Sequence, residues 1–504
     1  MPQWTKEQQA AIRARNHTIL VSAAAGSGKT AVLVERIVGL VREGYHLDRM
    51  LIVTFTRAAA AEMRQRLNQR MLKEAQSDPE RMGQALDELE GAEISTIHSF
   101  CQKVIRNDFQ AVGVDPLTRV CEEQQQQVLF EQAFRDAMNE LLTQGSKDFC
   151  LFAEAFEQNE IRDMTQRLYT FLMSLPEPFD WLQWQIDRVD QKPYDQHPWY
   201  EVLARHALRQ LQGMEALLAA QQNMLKEENA VPQLEKTLLK DYDIYQRIME
   251  MDASNPRVLA EALASISFVK AETCRGLTDQ QKEWKKRFTD IRDEIKKIVK
   301  DQAKALSLDE KKTENELFMI KRQLQGLAEL VKRTKDAFDE YKLRQNVMDF
   351  GDMEQLTLAI LKNEECRQRL QQEYDHIFVD ECQDVSAVQD AILQSIHGEN
   401  SCLFMVGDVK QSIYRFRLAD PTLFLHRMRT YSDDENARER RIFLQRNFRS
   451  RTCVLDATNR VFRRVMRSDV TELDYLPEDE LIPGRETAHD PEVEVHLLDT
   501  RVDE

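Results

Sequence analysis

Residues 17–41, HTILVSAAAGSGKTAVLVERIVGLV, decide the fold. Residues 18–22 form a short apolar run of the kind that becomes a buried parallel strand. Ala23, Ala24, Ala25, Gly26, Ser27, Gly28, Lys29 and Thr30 follow, and then Val32, Leu33, Ile37 and Leu40 recur at helical spacing. A strand, a small-residue loop ending in Gly-Lys-Thr and a helix are the context of a phosphate-binding loop. Gly26 and Gly28 let backbone N–H groups curl around a phosphate, and the helix aims its positive end at the same point. In that pattern Lys29 reaches the terminal phosphates and the Thr30 hydroxyl holds Mg²⁺. Ala23 stands where the pattern has its first glycine, so a plain turn between strand and helix stays open on these residues alone.

The chain of 504 residues is too long for one core and predicts about two to four domains. With 42% hydrophobic and 31% charged residues it reads as a soluble, rather helical protein. No apolar run reaches the length of a membrane span, and the first residues lack a signal-peptide pattern. The 8 cysteines are scattered without metal-ligand spacing, so reduced thiols in the cytoplasm are expected, with no zinc or iron–sulfur centre. A formal net charge of −17 argues against a protein that coats nucleic acid, though not against a local basic groove.

Outward from the loop, residues 4–12 start an amphipathic helix with Thr5 as its N-cap. Gln8 on it has an amide suited to an adenine edge; its other reading is a solvated helix residue. Residues 51–56 form a second apolar strand leading into the helix former RAAAAEMRQR from Arg57. Such a strand end offers hydroxyls and N–H groups to a nucleic-acid phosphate, and Phe55 as a stacking face. Residues 93–100 repeat the device. There His98 either touches phosphate or orders its loop.

From about 116 to 345 apolar residues recur at three and four, and no strand is expected: a helical insertion. Its most basic run, KEWKKRF at 282–288, reads either as a duplex grip or as a solvated face. Strands return around 348–353 and at 376–379, where Asp380 and Glu381 arrive at a strand's carboxyl end, the side on which ligands collect in open α/β sheets. Asp380 suits Mg²⁺ and Glu381 suits a base that polarises water. Further strands are expected at 401–406 and 441–444.

Eight blocks now stand in one order: EQQAAI, AAAGSGKT, TFTRAAAAEM, STIHSF, DFGDM, VDECQD, GDVKQSIYRFR and QRNFRS. In that order the chain resembles superfamily 1 DNA helicases of the UvrD/RecB group, and its loop, its VDECQD box and a late ELDY…LIPG stretch look most similar to the AddAB-type helicase–nucleases. The resemblance implies an α/β, RecA-like P-loop ATPase domain with a mostly parallel sheet (1–115 and 346–440), interrupted by the helical insertion (116–345), with a second RecA-like domain begun at 441–504. It implies that Gln8 reads the adenine of ATP and that Phe448 stacks on it. Residues Ala23 to Thr30 would cradle the phosphates, and Thr30 and Asp380 would hold Mg²⁺. Glu381 would serve the attacking water, Gln411 would sense the γ-phosphate and Arg449 would act as an arginine finger. Thr54, Phe55, Thr56, Arg57, Thr96, His98, Ser99, Tyr414 and Phe416 would line a single-strand track. Departures from the family pattern are Arg57 for asparagine, Cys382 for an aromatic and Phe416 for the frequent tryptophan.

The function so implied is ATP-driven 3′–5′ unwinding of DNA, processing double-strand ends for recombination with an AddB-type partner protein. No later helicase motif or nuclease pattern follows Ser450, so the chain is expected to be the N-terminal portion of a longer protein. The rivals are a stand-alone UvrD-like repair helicase and a non-catalytic helicase-like scaffold.

Overall fold

A computed structural model describes residues 4–193, 196–251, 256–471, 473–485 and 492–496. It divides into two compact units, one made of residues 1–139, 162–179 and 331–504, the other of 140–161 and 180–330.

The first unit is built on a six-stranded, all-parallel sheet. In order across the sheet the strands are Glu93–Thr96, Met50–Thr54, His376–Asp380, Cys402–Gly407, Thr18–Ala23 and Glu439–Leu444. Thr18–Ala23, Met50–Thr54 and Cys402–Gly407 are buried throughout, as their unbroken apolar runs predict for strands covered on both faces. The period-two alternation then splits each strand between two cores. Ile19, Val21, Ile52, Phe378 and Phe404 pack with helices Lys6–Arg13, Lys29–Glu43, Arg57–Glu74 and Pro79–Gly91. Leu20, Leu51, Val53, Ile377 and Leu403 pack with helices Ile97–Asn107, Phe350–Lys362 and Ala387–Ile396. This is the RecA-like α/β arrangement that the motif order implied.

Three local expectations change. The strand expected from Arg441 starts at Glu439 and pairs along the whole of Thr18–Ala23, so it closes the first sheet and does not open a second domain. Around 348–353 only Val347–Met348 is extended, because Asp349 caps the helix Phe350–Lys362: its carboxylate accepts from Asp352 N at 2.8 Å and the Asp352 carboxylate accepts from Asp349 N at 2.9 Å. A two-residue strand, Arg119–Val120, occurs inside the stretch expected to be wholly helical, paired with Val347–Met348. The sequence also predicts a strand at 493–499 and a break at 255–256; residues 493–496 are not in a strand, and 497–499 and Asn255 lie outside the described residues.

The second unit is helical among its described residues and narrower than the 116–345 stretch, since 116–139, 162–179 and 331–345 group with the sheet. Its core includes Trp284 stacked on Phe288 and a buried ion pair, Arg292 Nε to Asp241 Oδ2 at 2.6 Å. No described helix is long and apolar enough to cross a membrane.

Candidate nucleotide and nucleic-acid site

The carboxyl ends of the parallel strands gather the residues singled out by sequence. Gly26 and Gly28 both adopt left-handed backbone, φ 70° and 84°, the region that favours glycine. Gly28 is also the N-cap of helix Lys29–Glu43 and gives it no side-chain hydrogen bond. The first N–H groups of that helix therefore remain for an anion, and the dipole favours one there. Beside them the Ser27 hydroxyl is buried without a hydrogen-bond partner among the described residues. An uncapped helix start, an orphaned buried hydroxyl and a lysine at the first helical position fit a phosphate chain.

Lys29 Nζ lies 2.9 Å from Glu381 Oε2. Glu381 itself is in the left-handed region at φ 51°, a conformation costing about 1–3 kcal/mol for a residue other than glycine. The turn is held by its N–H, which donates to Asp380 Oδ1 at 3.0 Å. Burial pushes the Asp380 carboxyl up to about 6, the Glu381 charge adds to the rise, and Lys29 and the Glu381 N–H oppose it. A hard divalent cation suits such a carboxylate, and with the Thr30 hydroxyl at the second position of the helix the donor set is all oxygen, as Mg²⁺ prefers.

Two residues that sequence reasoning passed over organise the site, one at these acids and one at the loop. Gln383, 1% exposed, donates to Glu381 Oε2 at 3.0 Å and to Asp384 Oδ2 at 3.1 Å, while its Oε1 accepts from Asp408 N at 2.9 Å. Asp384 is likewise raised to about 6, by burial first and the Glu381 charge second. On the far side of the loop, Asn447 is 2% exposed and donates to Ala25 O at 2.6 Å. Its Oδ1 accepts from Arg449 N at 2.8 Å and Ser450 N at 2.7 Å. Both residues sit inside quoted blocks, VDECQD and QRNFRS, and that membership was the signal that could have found them.

The expected nucleotide residues lie as follows. Gln8 is buried, its amide donating to Ser27 O at 2.9 Å and accepting from Thr5 N at 3.0 Å, so it supports the loop from beneath. Phe448 is 37% exposed, and its N–H donates to Gly26 O at 2.9 Å. Arg449 is exposed and follows directly, its Cβ against Gly26. Gln411 donates to Asp408 Oδ2 at 2.6 Å.

Along the same edge, strand ends Met50–Thr54 and Glu93–Thr96 lie in register, Thr54 beside Thr96. Thr56 caps Arg57–Glu74 and Thr96 caps Ile97–Asn107, so two helix N-termini point the same way. Ser99 Oγ is 3.0 Å from the Thr96 hydroxyl, and Arg57 is exposed. Thr54 is buried, donating its hydroxyl to Thr56 O at 3.1 Å, and so is turned away from any track. Phe55 and Tyr414 have ring centroids 4.6 Å apart, and Tyr414 and Phe416 5.8 Å. Arg417 lies over both tyrosine and phenylalanine rings, at 5.2 and 5.7 Å. Phe416 is 76% exposed. His98 Nε2 lies 3.1 Å from Glu354 Oε1, and its ring meets the exposed Phe350 edge-on at 4.8 Å, a further aromatic face absent from the expected set.

The family model of the UvrD/REP helicase N-terminal domain matches residues 4–264 and 200–432. The chain belongs to the UvrD/REP helicase family. ATP use goes with that family. Among curated relatives, an ATP-dependent helicase/nuclease subunit of Alkaliphilus oremlandii is 35% identical over 100% of this chain and 43% of its own length. Proteins of the same name from Clostridium acetobutylicum and Listeria monocytogenes are 35% and 34% identical, each over 98% of this chain and 42% of their own. The chain thus spans about two fifths of the length of the curated relatives it matches. Within the UvrD/REP family, the loop clamp formed by Asn447 gives a direct test. Asn447→Ala should lower stability by roughly 1–3 kcal/mol for each buried group left unsatisfied, read as a drop in the urea midpoint at unchanged slope. An unchanged midpoint would mean that the clamp is closed by other contacts.

Proposed function

We propose that this chain is the motor portion of an ATP-driven DNA helicase, working 3′ to 5′ on single-stranded DNA as part of a helicase–nuclease that processes double-strand ends for recombinational repair. The observation that carries this reading is the Lys29–Glu381 contact at 2.9 Å beside Asp380, beneath a glycine loop to which the Arg449 segment is fastened. A scaffold has no use for that set. The names of the relatives support the nuclease and membership of a complex, and with them an AddB-type partner in the cytoplasm.

In this reading residues Ala23 to Thr30 wrap the phosphates and Lys29 leaves Glu381 for the terminal ones. Thr30 and Asp380 would hold Mg²⁺, which would supply charge neutralisation at the phosphate oxygens. Glu381 then polarises water, Gln411 reports the γ-phosphate through Asp408, and Arg449 approaches from the facing domain, which begins after Leu444. Phe448 stacks on adenine, and Gln8 holds the loop while its remaining lone pair and N–H read the base edge. Thr56, Arg57, Thr96, His98 and Ser99 receive DNA phosphates, and Phe55, Tyr414 and Phe416 offer faces to bases. Thr54 acts through Thr56.

Lys29→Ala should abolish ATP hydrolysis in the protein at its natural length without lowering its melting temperature, because Lys29 belongs to no core. Glu381→Gln should keep nucleotide affinity and lose turnover, since only the water-polarising carboxylate goes. Parent-rate hydrolysis by the first variant, or collapsed affinity in the second, would sink these roles.

Phe416→Ala should weaken single-strand binding by about 1–3 kcal/mol, the worth of one base–aromatic stack, and leave melting unchanged, since the ring is exposed. DNA titration and thermal melting of the same variant check both halves. A stability loss with parent DNA affinity would count against the track.

A further inference from the structure

The ELDY…LIPG stretch, singled out by sequence, has no part in the site described so far. In the structure residues 473–485 run as a strap behind the Phe448 and Arg449 segment. Tyr475 Oη donates to Asn459 Oδ1 at 2.7 Å, and Asn459 in turn holds both the N–H and the carbonyl of Leu481, each at 3.0 Å. Ile482–Pro483 then pairs with Arg446–Asn447, and Gly484 N donates to Asn447 O at 2.8 Å. At Gly484 a Cβ would fall 2.6 Å from the Phe448 ring, so the strap lies directly against that side chain.

The middle of the strap is fastened to the opposite wall. Asp479 accepts from Lys410 Nζ at 3.3 Å, and the same ammonium is 3.0 Å from Asp408 Oδ1. All three side chains are at most 7% exposed. Asp408 also accepts from Gln411 and, through its N–H, binds Gln383, which holds Glu381. An unbroken polar chain therefore runs from Glu381 through Gln383, Asp408 and Lys410 to Asp479 and the strap.

We infer that Asp479 and Lys410 are positioning residues: the buried ion pair is the clasp that sets Phe448 and Arg449 against Gln411 and Glu381. The inference rests on the proposed roles of Arg449 and Phe448. A buried ion pair is weak evidence for stability, since apolar residues can replace such pairs without loss, whereas one with a fixed register between two segments defines geometry. Misplacing a reacting group by about 1 Å costs roughly 10²-fold in rate.

The test is DNA-stimulated ATPase of the protein at its natural length, in a cycle of Asp479→Asn, Arg449→Ala and the double variant. In protein still folded at the assay temperature, Asp479→Asn should lower kcat roughly 10²-fold, with ATP affinity falling only as far as Phe448 moves, and should take nothing further from kcat once Arg449 is alanine. Parent kcat in Asp479→Asn, or an equal further fall in the Arg449→Ala background, would overturn the clasp. Arg449→Ala at the parent rate would overturn the finger, and the clasp with it. Should Asp479→Asn melt below the assay temperature, Gly484→Ala carries the test. Its Cβ would meet the Phe448 ring at 2.6 Å and Asn447 O at 2.9 Å, so strap and ring must move apart and ATP affinity should fall roughly tenfold, the scale of one aromatic contact. Parent affinity there would overturn the strap's hold on Phe448.

Discussion

Gly26 has no room for a side chain. A Cβ there would lie 2.9 Å from the Cβ of Arg449 and from both side-chain polar atoms of Asn447. Around that contact the loop is sewn to the 444–450 segment through its own backbone: Ala24 N to Leu444 O, Asn447 Nδ2 to Ala25 O, Phe448 N to Gly26 O. Strand Glu439–Leu444 sits beside Thr18–Ala23 so that the two chain segments, more than four hundred residues apart, leave the sheet together. The loop's shape and the positions of Arg449 and Phe448 are thus one geometric problem with one solution.

Much of this was legible in the sequence because the sheet is covered on both faces. Such strands need no polar alternation, so residues 18–22, 51–54 and 402–406 stand out as apolar runs, and the residues that follow each run land on the ligand edge. Thr56 is placed at that edge this way, and the strands at 376 and 93 place Asp380, Glu381 and Thr96 there likewise. Strand Glu439–Leu444 was found but assigned to the wrong sheet. Its burial alternates, as suits an edge, and nothing local says that its partner is the strand at Thr18.

Side chains that work on distant backbone were the least legible. Gln383 and Asn447 hold groups that are near only after folding, which leaves no periodic trace. Gln8 shows the opposite limit: its amide suits an adenine edge, yet the same amide also completes a capping box with Thr5 and carries the Ser27 carbonyl. The sequence specifies a donor and an acceptor there, and packing decides how many partners they serve.

The left-handed backbone at Glu381 carries a consequence for how this protein can change. Glycine relaxes that conformation without cost, and asparagine or aspartate bear it better than most residues. Drift toward a sturdier fold at this position therefore runs against retention of a carboxylate on a long side chain. Selection for stability alone would therefore favour a different residue at 381, and change in this part of the molecule would start from its most strained position.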